Sequence, residues 1–384
     1  MDETVQHIIK EHWKELKKKK NVFSFSGELQ PKIREGKVIA EKAFRIYVVE
    51  KDKSIQPCSK DFVPNTLIIH KGNGNAETIT TDLYPVGKMK ALNNKYITTG
   101  LTTLPTKGLI TGVTKCECKE KSSAKLKRVL RTNENNVAFD ESTYRPVKAG
   151  YSAMAYYEDA SACTLGNFAK SKKKGEEDLT GIVCNNHCGA NENKLPVGNP
   201  YTCPSKYDGG DLTKKVAEHL RHVEIKYQEF KCPYRNTLFK LFKVFKPQQV
   251  FNEVDCSFEK ITIPESDIVF EVETIGKITG KRRGDVGETA KKHGRTTHYT
   301  EGAKLIDNAY YGSVQYSRGL AFFGPCGLLE GTGFSAGGDS SSSIVWMKDN
   351  NLAGLLFAGS ETHTIFCHWD RVEDLLEVEF IVPN

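Results

Sequence analysis

Apolar residues near the start of the chain fall at Val5, Ile8, Ile9, Trp13 and Leu16, with Lys and Glu between them. Steps of three and four residues put these side chains on one side of an α-helix. The pattern therefore predicts a short amphipathic helix over residues 3–19 that docks on its own domain. The period then changes. Phe44-Arg-Ile-Tyr-Val-Val-Glu50, Thr66-Leu-Ile-Ile-His70 and the stretch from Thr78 to Tyr84 are rich in β-branched and aromatic residues. Pro64 and the Gly/Asn cluster around Gly72 to Gly74 punctuate them as turns. Residues 1–115 read as a small α/β module.

Residues 116–147 have another character. Lys115, Lys119, Lys121, Lys125, Lys127, Arg128 and Arg131 crowd together, and Asn133 to Asn136 adds a polar tract. With few large apolar residues to bury, this segment reads as an exposed basic linker. From 148 to 384 short apolar runs recur between Gly-, Asn- and Asp-rich turns, the pattern of a sandwich or barrel. The run Thr237-Leu-Phe-Lys-Leu-Phe-Lys-Val-Phe245 fits a helix or an edge strand equally well. The whole reads as mainly β.

Bulk properties narrow the classes. The chain has 384 residues, 38% of them hydrophobic, which excludes global disorder and suggests two or three folded units. A formal charge of +7 is mild and fits a solvated basic surface with weak attraction to nucleic acid. No stretch approaches the roughly 18 apolar residues that span a bilayer, and the first residues lack the apolar run of a signal peptide. A soluble chain of the cytoplasm or nucleus is expected, without membrane partners. The 11 cysteines are then expected as free thiols. Cys116 and Cys118, and Cys184 and Cys188, lack the C-x2-C spacing of structural zinc, so no metal or other cofactor is expected.

Three segments carry candidate chemistry. Gly337-Gly338-Asp339-Ser340 precedes the apolar Ile344-Val345-Trp346. A serine hydroxyl needs a base to take its proton and backbone N–H groups aimed at the developing oxyanion. A Gly two residues before the Ser allows the turn that aims them, so Gly338 and Ser340 are the candidate oxyanion donors. Ile182-Val183-Cys184-Asn185-Asn186-His187 places a His at an apolar strand end, where a base would sit. Val254-Asp255 opens the alternating Cys256, Phe258 and Ile261, and a buried Asp255 would hold the His tautomer. The chain order His187, Asp255, Ser340 is that of chymotrypsin, not of subtilisin or the α/β-hydrolases.

These segments resemble the trypsin-like serine proteases. His187-Cys188 resembles the histidine site, Asp255-Cys-Ser-Phe-Glu-Lys-Ile261 the aspartate strand, and Gly338-Asp-Ser-Ser-Ser342 the nucleophile turn. Leu352-Ala-Gly-Leu-Leu-Phe-Ala-Gly-Ser360 resembles the cleft-lining strand and Trp369 to Leu376 the C-terminal helix. Ala162-Cys-Thr-Leu-Gly166, Gly294-Arg-Thr-Thr-His298 and Gly354 to Ser360 look most like intracellular multidomain peptidases of bacteria and plants, the narrow-leaf proteins among them. The resemblance implies two six-stranded antiparallel β-barrels over 148–384, with His187 and Asp255 in the first and Ser340 in the second. It implies an endopeptidase acting through an acyl-enzyme on protein or peptide substrates, with Phe334, Phe357 and Gly359 contacting substrate. Phe334-Ser335-Ala336 carries no acid, which points away from cleavage after Arg or Lys.

The chain departs from that family at three positions. Ser341 and His298 stand where Gly is usual, and Cys163 where a smaller residue is expected. If position 341 needs a Gly-only backbone, Ser341 costs strain of about 1–3 kcal/mol. This leaves a protease-fold binding or scaffold protein as the alternative. A disulfide between Cys163 and Cys188 would match one in secreted relatives, although two thiols are expected in a reducing cytosol. Asp208 and Asp211 in Tyr207-Asp-Gly-Gly-Asp211, and Asp267, are rivals to Asp255. A homo-oligomer is compatible with the leading module. Nucleic-acid binding through 115–131 and 237–245 is the weaker partner reading, and it would show the salt dependence of counterion release.

Overall fold

The chain opens as a continuous helical run from Glu3 to Leu16, with a π turn at Ile9–Trp13. The Asp2 carboxylate caps it by accepting from the backbone nitrogens of Thr4 and Val5. Val5, Ile8, Trp13 and Leu16 are buried against Phe25, Phe44, Ile46, Leu67 and Ile69, as the apolar stripe predicts. The structure is a computed structural model that describes residues 1–34, 37–52, 54–71, 75–92, 144–177, 179–228 and 250–383. The basic segment at 116–143, with Cys116 and Cys118, and the run at 237–245 lie outside the described residues.

Four strands follow, at Val22–Arg34, Lys37–Val48, Thr66–His70 and Ala76–Pro85. Thr66–His70 alternates exposed and buried along its length, as a half-buried strand must. Lys37–Val48 lies antiparallel to Val22–Arg34 and parallel to Ala76–Pro85. These strands are not a separate sheet. Val22–Arg34 also pairs with His298–Gln315, setting Phe25 opposite Tyr311 and Ser26 opposite Tyr310. The leading segment thereby extends a sheet of 12 strands, six of which lie between Thr289 and His368.

Within that sheet, Thr289–Gly294, Ser343–Trp346, Asn351–Gly359, His363–His368, Leu320–Glu330 and His298–Gln315 are neighbours in this order. The last pairs back with the first, so hydrogen bonding runs around a ring. A second sheet of eight strands carries Asn167–Ser171, Thr180–Cys184, Ser257–Ile261 and Lys215–His222 side by side. The fold is thus mainly β. Fully buried Tyr201, Phe258, Tyr310, Tyr316 and Trp369 fill one core shared by both sheets. Each such side chain stabilises the fold by about 1.5–3 kcal/mol. The helix Trp369–Leu376 forms at the position expected from the sequence, and the short strand Val378–Phe380 after it pairs with Asn167–Ser171.

Candidate functional site

Strand Thr180–Cys184 ends at Asn185, and the backbone turns at once into the short helix Asn186–Gly189 that carries His187. The neighbouring strand Ser257–Ile261 pairs Ser257 with Cys184, so Asp255 emerges beside His187. His187 Nδ1 lies 2.6 Å from Asp255 Oδ2. The His187 backbone nitrogen donates to Asp255 Oδ1 at 3.2 Å. One residue thus holds both carboxylate oxygens. Tyr316 adds its hydroxyl to Oδ2 at 2.7 Å, and the Asp255 nitrogen donates to Cys367 Sγ at 3.2 Å. All of these groups are buried. A buried carboxylate costs free energy unless its oxygens are hydrogen-bonded, and here they are.

Ser340 arrives from the other sheet, in the turn before Ser343–Trp346. Gly338 has φ +101° and Ser341 φ +75°, both in the region that favours glycine. The turn is pinned by Asp339, which accepts from the nitrogens of Ala336, Thr296 and Thr297 at 2.9, 2.8 and 3.1 Å. Lys292 Nζ completes a buried pair with Asp339 at 3.4 Å. Burial lowers the Lys292 pKa from its ordinary value, against the pull of the Asp339 charge. From this turn Ser340 Oγ reaches 2.7 Å from His187 Nε2. Asp255, His187 and Ser340 therefore form one hydrogen-bonded chain across two sheets. With Nδ1–H donating to the carboxylate, Nε2 is left as an acceptor facing the hydroxyl.

The rival acids lie elsewhere. Asp208 is paired with Arg295 and accepts from Ser152 and Ser205. Burial pushes its pKa up, but the Arg295 contacts outweigh this and hold it below the ordinary value. Asp211 accepts from Thr213 at a helix start, and Asp267 ends a 3-10 turn. Arg295 also donates its backbone nitrogen to Thr164 Oγ1, which in turn donates to the Gly338 carbonyl at 2.9 Å. His298, at φ +53°, offers its carbonyl to Lys292 Nζ at 2.9 Å.

Of the three residues expected to contact substrate, Gly359 borders a groove, whereas Phe334 and Phe357 are not among the residues that line it. The groove is lined by Lys90, Leu92, Thr297, Ser335, Gly337 and Gly359. Phe334 packs in the same apolar cluster as Leu92. The Phe357 carbonyl accepts from the Leu92 nitrogen at 3.1 Å, and Gly359 is the strand partner of Lys90. The Gly338 nitrogen donates to the Leu92 carbonyl at 2.7 Å. None of these contacts from residues 90–92 was foreseen from the sequence.

The cysteine expectation needs correction. Cys163 and Cys188 are joined by a disulfide, with Cα atoms 6.1 Å apart and both residues fully buried. The strand Cys163–Thr164 and the helix Asn186–Gly189 bring them together in a small cluster with Met154, so two thiols would be in contact in any case. Their sulfurs and His187 lie within 4.8 Å of one another. That grouping is the closest approach to a metal site among the described residues, but the sulfurs bond each other and the His187 nitrogens face Asp255 and Ser340. Six other described cysteines are free thiols.

Sequence reasoning also missed Tyr316, Asn185 and Lys292. A Tyr beside an apolar strand reads as ordinary core. A Lys in a strand reads as solvent-facing, and only the buried Asp339 across the turn shows otherwise.

No protein-family model matches the chain, and no curated protein does. Among solved structures the chain is similar to Thermobifida fusca protease A, at 14% identity over 62% of this chain and 99% of that one, with a TM-score of 0.37. It is similar to Nocardiopsis protease at 14% identity over 61% and 98%, with a TM-score of 0.38. It is similar to Cellulomonas bogoriensis chymotrypsin at 13% identity over 62% and 99%, with a TM-score of 0.38.

Proposed function

We propose that the chain is a serine endopeptidase acting on protein or peptide substrates. The observation that carries this reading is the buried hydrogen-bond chain from Asp255 through His187 to Ser340, at 2.6 and 2.7 Å. Ser340 Oγ attacks the scissile carbonyl while His187 Nε2 takes its proton. Asp255 keeps the His187 tautomer and stabilises the imidazolium, and Tyr316 holds Asp255 in turn. The N–H groups of Gly338 and Ser340 bind the oxyanion. His187 then returns the proton to the leaving amine, and water hydrolyses the ester. In this reading residues 148–384 form the two-barrel protease unit, and Gly359 borders the substrate groove.

The test is labelling with a fluorophosphonate probe, comparing the natural chain with Ser340→Ala and Ser341→Gly. The natural chain is expected to label and Ser340→Ala not to. Labelling that appears only in Ser341→Gly would overturn the reading and leave a binding protein built on the protease fold.

A further inference from the structure

We propose that the chain cuts itself after Leu92, a step that rests on the serine protease reading above. After strand Ala76–Pro85 the backbone turns at Gly87, φ +74°, and runs into the candidate cleft. Lys90 and Ala91 pair antiparallel with Gly359 and Ala358 on the edge of Asn351–Gly359. An extended peptide added to a strand edge is bound by its main chain, and pockets read its side chains. Residues 90–92 meet both requirements.

The main chain is fixed at each step. Ser360 Oγ donates to the Val86 carbonyl at 2.7 Å, and the Gln315 nitrogen to that of Met89 at 3.2 Å. The Leu92 nitrogen donates to the Phe357 carbonyl at 3.1 Å. That same carbonyl lies 3.5 Å from Ser340 Oγ, so Leu92 and the candidate nucleophile share one neighbour. The Leu92 carbonyl oxygen accepts from the Gly338 nitrogen at 2.7 Å. A scissile carbonyl needs that donor as charge develops on its oxygen.

The side chain fits as well. Leu92 is 8% exposed and packs in one cluster with Phe334. A methyl group built on Gly359 would lie 3.3 Å from Leu92 Cδ1 and 3.4 Å from Ser335 Oγ. Leu92 thus fills the space between Gly359 and the residues that lead into the nucleophile turn. N–H, C=O and side chain are satisfied together, as for the residue whose acyl group is transferred. The geometry also assigns a preference for an apolar, leucine-like residue on the acyl side of any other substrate.

In the step itself, Ser340 Oγ attacks the Leu92 carbonyl carbon and its proton passes to His187 Nε2. The C–N bond between Leu92 and Asn93 breaks, and the Asn93 amine takes that proton. Water then hydrolyses the Leu92 ester, giving a Leu92 carboxylate and restoring the Ser340 hydroxyl. The 1–92 fragment stays attached, because Val22–Arg34 is a strand of the larger sheet and Phe25 stacks on Tyr311.

The experiment expresses the full natural chain, Ser340→Ala and Leu92→Lys. It reads native mass, denatured mass, fragment N-termini and fluorophosphonate labelling. The natural chain is expected to run as one complex natively and as two pieces when denatured, the larger beginning at Asn93. Ser340→Ala and Leu92→Lys are expected to stay whole. If Leu92→Lys fails to fold, Ser340→Ala, which loses one oxygen, carries the comparison. A natural chain that labels at Ser340 yet remains whole overturns self-cleavage and leaves the protease reading standing. Fragments in Ser340→Ala also overturn it. Absence of label in both the natural chain and Leu92→Lys removes the protease reading, and self-cleavage with it.

Discussion

Ser341 Oγ accepts a 2.9 Å hydrogen bond from the backbone nitrogen of Asn185 and lies 3.2 Å from the Asn185 side-chain oxygen. Ser341 follows Ser340 in its turn, and Asn185 stands at the N-terminus of the helix that carries His187. The pair therefore ties the two halves of the site across two sheets. It also accounts for a non-glycine residue at φ +75°. The left-handed backbone costs about 1–2 kcal/mol, and two hydrogen bonds at about 0.5–1.5 kcal/mol each offset it. Ser341→Ala keeps the strain and leaves a buried N–H without its acceptor, so a loss of about 1–3 kcal/mol is expected. Ser341→Gly removes strain and hydrogen bonds together and is expected within about 1 kcal/mol of the natural chain. Urea unfolding of the three proteins decides the point, and an alanine variant as stable as the natural chain would refute it.

Among the described side chains, the Tyr316 hydroxyl joins His187 in hydrogen-bonding the Asp255 carboxylate. That hydroxyl donates to Oδ2 at 2.7 Å, and the Tyr316 ring lies edge-on to His187 at 5.8 Å. Burial, then the Asp255 charge, pushes the phenol pKa well above its ordinary value, so it stays a donor over the working range. Tyr316→Phe leaves the carboxylate with one donor fewer, and the carboxylate then attracts the imidazolium more strongly. Under the protease reading kcat is expected to fall roughly tenfold, because Asp255 loses the hydroxyl that fixes its orientation and, through it, that of His187. KM is expected to change little, and the acid limb of the pH–rate profile to move to higher pH. A fall in rate with an unmoved pH profile would reduce Tyr316 to a packing role.

The Cys163–Cys188 bond closes a loop of 25 residues that ends beside His187. In the chain-entropy account a loop of that size stabilises the fold by about 3 kcal/mol. Unfolding in dithiothreitol is expected to show a loss of that order. A Cys163→Ala, Cys188→Ala double variant is expected to start from the lower stability and ignore the reductant. A natural chain equally stable with and without dithiothreitol would mean that the two residues serve as thiols.

What the sequence revealed and what it hid divide along physical lines. The leading helix was legible because Val5, Ile8, Trp13 and Leu16 repeat with the helical period, and the strand at Thr66–His70 because it is rich in β-branched residues; that Ile68 faces out while Leu67 and Ile69 are buried was not. His187, Asp255 and Ser340 are candidates in the sequence because each sits at a strand end or Gly turn, and the structure brings them into one hydrogen-bonded chain. Ser341 was flagged only as a strained position, since its partner Asn185 is far away in sequence. The strand pairing of Val22–Arg34 with His298–Gln315 was invisible for the same reason. Residues 90–92 carry no periodic pattern, and their meaning comes entirely from the edge on which they lie.

Asp307 gives the seam between the leading strands and the rest of the sheet a pH dependence. Tyr47 donates to its Oδ2 at 2.6 Å, and the Ala309 nitrogen to its Oδ1 at 2.8 Å. Burial pushes its pKa up from 3.8 to about 6, with Tyr47 and Ala309 pulling the other way. A raised carboxyl pKa means that the fold prefers the protonated form. Its stabilising contribution is complete below about pH 4 and is lost as pH rises through about 6. The difference corresponds to about 3 kcal/mol of cost above pH 7. Asp307→Asn carries no charge at any pH. It is expected to be more stable than the natural chain at pH 7.5 by a margin of that order, and the margin is expected to shrink steadily toward pH 5. Urea unfolding of both proteins at pH 5, 6.5 and 7.5 measures it. A margin independent of pH would show that Asp307 is ionised in the folded chain throughout, held by Tyr47 and Ala309 against burial.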